Sequence, residues 1–178
     1  MPELLRVLRW PDPYLRRKAR PVVFGEGGAI GDDVRAMAAR MVDTMFAHSG
    51  LGLAATQVGW DARLAVVSGT GSPGDEIVIV NPEIVDGWGS EAREEGCLSF
   101  PSVAAVITRR KGVKVRYTGL DGRPHEIEND GMLGRCCLHE IDHLDGITFL
   151  AKMTPADKLA NRRPLRALEE AAGRHDAA

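Results

Sequence analysis

His139-Glu140-Ile141-Asp142-His143 is the stretch from which the rest of this chain is read. It has the form H-E-x-x-H. On an α-helix, residues four apart lie on one face, one turn above the other. Both imidazoles then point to the same side and can hold one metal ion. Glu140 is rotated by about 100° from His139. It can reach a water beside the ion without being a ligand, which is the arrangement of metal-assisted hydrolysis. The flanks predict a helix. Asn129-Asp130-Gly131 offers a cap and Gly146 a stop. Between them Met132, Leu133, Cys136, Leu138, Ile141 and Leu144 are apolar nearly all round, so the helix is expected to be buried. The bland alternative is a core helix with two satisfied histidines.

Hydrolytic sites of this kind take three protein ligands and keep one position open. Cys136 is on the right face, but the ion would lie ~7 Å further along the axis, beyond its reach. Cys137 is turned about 200° away from His139. His175 sits in a polar tail, and Glu169 and Glu170 belong to a separate helix. Cys97, in Glu94-Glu95-Gly96-Cys97-Leu98-Ser99, is the remaining candidate.

With 178 residues the chain suits one compact domain, taken as 1–178 with a core at about 4–153. Its 44% hydrophobic content is ordinary, and no run is long enough to span a bilayer. No export leader is visible, so a cytoplasmic protein is expected. A net charge of −2 argues against binding nucleic acid over the whole surface. Three cysteines without framework spacing fit a reducing compartment, in which Cys97 stays available as a thiolate.

Residues 4–10 read as a short extended segment ended by Pro11-Asp12-Pro13. Asp32 and Asp33 then cap an amphipathic helix. Its stripe is Val34, Met37, Ala38, Met41, Val42 and Met45, and Ser49-Gly50 closes it. The small, glycine-spaced run from Gly50 to Gly59 permits close backbone approach and shows no helical pattern. Strand-like segments follow at Arg63–Ser68, Glu76–Val80, Glu83–Asp86, Ser90–Arg93, Val103–Thr108, Val113–Thr118 and Pro124–Glu128. Leu120-Asp121-Gly122 reads as a hairpin turn. Thr154-Pro155 starts a C-terminal helix at 155–172, which Pro164 interrupts or kinks, before a disordered tail at 173–178. Segregated helices and antiparallel strands mean α+β, with the strands packed around the buried helix.

Three segments together resemble one family. Gly50-Leu51-Gly52-Leu53-Ala54-Ala55-Thr56-Gln57 resembles G-x-G-x-A-A-x-Q, Glu95-Gly96-Cys97-Leu98-Ser99 resembles E-G-C-L-S, and the opening stretch resembles H-E-x-D-H. The family is peptide deformylase, and the resemblance runs from about Leu4 to Met153. It implies a monomeric α+β enzyme that takes the formyl group from N-formylmethionine on new chains. It also implies Cys97, His139 and His143 as ligands of one divalent ion. Glu140 would be the general acid/base, with Gln57 and the backbone N–H of Leu98 as the oxyanion hole. Family members commonly work with Fe²⁺, and Zn²⁺, Ni²⁺ or Co²⁺ can occupy the site. The alternative for the same five residues is a metallopeptidase acting on unformylated peptides, which needs a third His or Glu downstream.

Met132, Cys136, His139 and His143 share one helix face, so the wall beside the metal is apolar and suits a methionine side chain. Gly50, Leu51 and Gly52 close it from across. Arg135 is placed at the rim, its stem against the wall and its charge in water. Two positions depart from the family. Leu138 stands where glutamine is usual, and Ile107-Thr108-Arg109 where Val-Pro-Arg is frequent. Arg109 is expected to pair with a buried acid such as Asp142. Lys158, Arg162 and Arg166, spaced four apart, form a basic stripe. It reads first as a solvated face and second as a weak ribosomal contact.

Overall fold

The computed structural model describes residues 3–175. Its helices are α1 (Asp32–Ala47), α2 (Met132–Leu144), α3 (Phe149–Lys152), α4 (Pro155–Ala160) and α5 (Arg162–His175). The strands are β1 (Gly52–Ala54), β2 (Leu64–Val67), β3 (Ile77–Trp88), β4 (Glu91–Gly96), β5 (Ala104–Arg109), β6 (Gly112–Thr118) and β7 (Pro124–Asn129). Five strands form one sheet in the order β1-β2-β3-β6-β7, and β4 with β5 forms a second. Every pairing is antiparallel. This is an α+β fold.

The β1–β2 end of the first sheet, with the start of β3, is covered on both faces. Leu53, Leu64, Val66 and Val80 join the α1 residues Val34, Ala38, Met41 and Met45 in one cluster. Their alternate neighbours Ala54, Ala65, Val67 and Ile79 join the α2 residues Cys137, Ile141 and Leu144 in another. Successive strand side chains point to opposite faces, so a strand between two helices must be apolar throughout. All four residues of β2, Leu-Ala-Val-Val, are buried for that reason. A third cluster, including Phe100, Ile107, Phe149, Met153 and Leu165, seats α3 and α5 against the second sheet.

Several local expectations are corrected. Glu76–Val80 and Glu83–Asp86 belong to one strand, β3, which passes through Asn81-Pro82. Proline is tolerated there because the register with β6 shifts between Val80 and Glu83. The Asn81 side chain also makes two hydrogen bonds with the Val22 backbone, 2.8 and 2.9 Å. Gly31, not Asp32, is the N-cap of α1, and the two aspartates lie in its first turn, where the helix dipole favours acids. The Gly50–Gly59 run contains β1 and a 3-10 turn over Ala55–Val58. The C-terminal helix breaks at Asn161 rather than at Pro164, which fits within the first turn of α5. Lys158 is therefore on α4 while Arg162 and Arg166 are on α5, and Arg166 pairs with Glu170 at 2.8 Å. The expected tail starts later than Gly173, since α5 runs to His175, and 176–178 lie outside the described residues. Among the described residues, no helix is long and apolar enough to cross a membrane.

Candidate metal centre

Helix α2 starts where β7 ends. The Asn129 side chain accepts hydrogen bonds from the N–H groups of Gly131 (2.8 Å) and Gly134 (2.9 Å), occupying donors that a helix start leaves free. The far end closes at Gly146, whose φ of +74° suits glycine. In between, His139 and His143 lie one turn apart, their rings edge-on with centroids 5.0 Å apart. Strand β4 ends at Gly96, and a tight turn (Phe100 N–H to Cys97 O, 2.9 Å) delivers Cys97 to them. The Cys97 sulfur lies 3.2 Å from His143 Nε2. Ligand atoms of Cys97, His139 and His143 all lie within 4.8 Å of one another. A thiolate and two imidazoles converging in this way can hold one divalent ion.

Gln57 reaches the same point from the 3-10 turn. Its Oε1 accepts from the Ala54 N–H at 2.8 Å. Its Nε2 donates to Ser99 Oγ at 3.1 Å and lies 3.5 Å from the Cys97 sulfur. Glu140 is buried, and among the described residues its Oε2 has no hydrogen-bond partner. Leaving such an atom unpaired is costly, so a buried carboxylate on the same cleft as Cys97 and His139 fits an ion with its own water. Gly52 makes the approach possible. A Cβ there would come within 2.7 Å of both Glu140 Cδ and the Cys136 sulfur.

Charge is organised around Glu95. Burial works against its ionisation, but hydrogen bonds from His139 and Arg109 prevail and hold its carboxyl at about 2. Its Oε2 lies 3.0 Å from His139 Nδ1, which fixes the ring and leaves Nε2 for the cluster. Burial alone would lower His139, yet contact with Cys97 and Glu95 raises it to about 10. The site thus draws positive charge, whether as a proton on His139 or as a cation held by its ring. Burial pushes Glu140 up to about 7, where a carboxyl both takes and releases a proton near neutrality. Burial and the neighbouring His139 depress His143, which stays a neutral imidazole.

A model of the polypeptide deformylase family matches residues 4–159. The chain belongs to this family. Solved structures agree. A peptide deformylase from Legionella pneumophila is 37% identical, with a TM-score of 0.85 over 97% of this chain and 99% of that one. A plant peptide deformylase is 33% identical, with a TM-score of 0.89 over 98% and 94%. The Thermotoga maritima peptide deformylase is 34% identical, with a TM-score of 0.78 over 86% and 99%. This chain is therefore an enzyme of the deformylase family.

In this chain, Gly50, Leu51, Gly52, Met132, Arg135 and Cys136 all border one cleft of about 620 Å³, which also reaches Gln57, Cys97, Leu98, His139 and Glu140. Arg135 differs from its expected place. Its guanidinium is buried among ion pairs, not held in water at the rim. Cys136 is buried and its thiol donates to Leu51 O at 3.0 Å, while Cys137 packs in the core. Arg109 does meet Asp142, at 2.6 Å, and it also meets Glu95, at 2.6 Å. Leu138, in the position usually held by glutamine, packs into the apolar cluster of α2. Sequence reasoning missed the role of Glu95. The signal was available in β5, which alternates exposed and buried and turns Ala105, Ile107 and Arg109 inward. An arginine on the buried face requires an acid, and Glu95 is the buried residue of the paired strand.

Proposed function

We propose that the chain removes the formyl group from N-terminal formylmethionine of newly synthesised polypeptides. Water is consumed, and formate and the free amine are released. The observation that carries this is the convergence of Cys97, His139 and His143 within 4.8 Å, at a cleft that Glu140 and Gln57 also border. Those three residues hold one divalent ion, Fe²⁺ natively, with Zn²⁺, Ni²⁺ or Co²⁺ as substitutes. When bound, the ion polarises the formyl carbonyl and makes water acidic enough to react at neutral pH.

The chain's own residues do the rest. Glu140 accepts a proton from the attacking water and passes it to the leaving amine, so the same carboxyl serves as base and then acid. Its upward shift to about 7 suits both steps. The Gln57 amide and the Leu98 N–H donate to the oxygen on which charge develops. Gln57 is already oriented, because Ala54 and Ser99 hold the two ends of its amide. A preorganised donor of this kind is worth on the order of 10²–10³ in rate. The methionine side chain lies along Leu51, Met132, Cys136 and the stem of Arg135. The test is formate release from formyl-Met peptides by protein of measured metal content. Cleavage of an internal peptide bond in unformylated peptides, without formate, would overturn the reading.

A further inference from the structure

We propose that Arg135 is a positioning residue that holds the β4–β5 hairpin, and with it Cys97, against the helix that carries the two histidines. The inference rests on the metal-dependent reading above and adds a residue to it.

The need for such a device follows from the topology. Cys97 is one residue beyond β4, whereas His139 and His143 are on α2. The β4–β5 sheet shares no ladder with the five-stranded sheet against which α2 packs. Strand pairing therefore does not set the distance between the cysteine and the histidines. Buried side chains do. Arg109 projects from β5, pairs with Glu95 through two nitrogens and reaches Asp142 Oδ2 at 2.6 Å. Arg135 projects from α2 in the opposite sense. Its Nη1 donates to Glu95 Oε1 and to Ile107 O (3.2 Å), and its Nη2 donates to Glu91 O (2.9 Å). One guanidinium thus grips both strands of the hairpin, at Glu91 and Glu95 of β4 and at Ile107 of β5. The two arginines tie α2 four residues before His139 and three residues after it.

The roles of the two arginines separate on removal. Without Arg135, Glu95 keeps Arg109 and His139 as partners, so its charge remains compensated. The specific losses are the bonds to the Glu91 and Ile107 carbonyls, which are main-chain grips on the hairpin. A lysine cannot replace them, because one ammonium cannot present a planar fork to three acceptors. The side chain of Arg135 is only 5% exposed, so water does not substitute freely. Loss of partners that orient metal ligands costs on the order of 10–100-fold in metal affinity or activity.

The experiment compares wild type, Arg135→Lys and Arg135→Met in the cobalt(II) form. Three quantities are read: the thiolate-to-cobalt absorption that reports the Cys97 bond, the rate of metal loss to a chelator, and hydrogen exchange of the β4 amides. The expected result is a weakened or shifted absorption and at least tenfold faster metal loss in both variants. Exchange should be faster in β4 but unchanged in β6 and β7, at a temperature where circular dichroism is native. A lower melting temperature with unchanged absorption and metal retention would overturn the proposal, as would failure of both variants to fold, since either makes Arg135 a structural residue only. Absence of the thiolate absorption in wild type would instead refute the Cys97 ligand and so the metal centre on which the proposal stands.

Discussion

Gly52→Ala is a one-carbon change with two consequences that can be measured apart. The new Cβ would sit 2.7 Å from Glu140 Cδ and 2.7 Å from the Cys136 sulfur, well inside contact distance. Neither neighbour is the loose end of an exposed chain. Glu140 is 3% and Cys136 6% exposed, and the Cys136 thiol is tied to Leu51 O. The strain must therefore move α2 or β1, or turn the Glu140 carboxyl. Inserting a carbon into a packed interior costs about 1–3 kcal/mol. For a chain of this size each kcal/mol lowers the melting temperature by about 2–4 °C, so a fall of about 2–12 °C is expected. A displacement of the base approaching 1 Å costs on the order of 10²-fold in turnover. Metal content should stay at the wild-type level, because the atoms that a Cβ at Gly52 meets first belong to Glu140 and Cys136 and not to Cys97, His139 or His143. The assay pairs formate release with metal analysis and thermal melting. Gly173→Ala in α5, where a Cβ meets nothing within 4 Å among the described residues, is the control. It should keep full activity and gain about 0.5–1 kcal/mol from helix propensity. Wild-type turnover and melting in Gly52→Ala would refute the packing argument and the placement of Glu140 against β1.

Other outcomes follow from the same geometry. Glu140→Ala should keep its metal and lose on the order of 10²–10⁴ in turnover; retention of more than a tenth of wild-type rate would contradict its role. Cys97→Ser should lower metal content on purification, whereas Cys136→Ser and Cys137→Ser should leave it unchanged, read by elemental analysis of the three proteins side by side. Air should inactivate the iron form faster than the zinc or nickel forms, since zinc has no redox chemistry and iron beside a thiolate does; equal half-lives would argue against a thiolate ligand to a redox-active ion.

Local periodicity carried much of the fold. The spacing of Val34, Met37, Ala38, Met41, Val42 and Met45 places one stripe on α1; four of these are buried, and Met37 and Val42 pack half-buried beside them. The apolar run at Leu64–Val67 marks a strand covered on both faces. Leu120-Asp121-Gly122 marks the β6–β7 turn, with Gly122 at a φ of +76°. Asn81-Pro82 misleads for a local reason as well. Proline reads as a strand end, and only pairing with β6 reveals a register shift that tolerates it. The candidate site divides in the same way. His139, Glu140 and His143 lie within five residues, so helix geometry alone relates them.

Which side chains share a helix face or a strand face can be read along the chain, because that follows from backbone period and needs no distant partner. Which charges meet cannot be read that way. Arg135 reads as a rim residue until Glu95, 40 residues earlier, is seen to bury it. His139 has no orienting partner until the same Glu95, 44 residues away, reaches its Nδ1. Burial makes an unpaired charge too costly to keep, so these residues had to have partners. The pairing itself depends on how β4–β5 docks on α2, a contact between separate elements that no local period encodes.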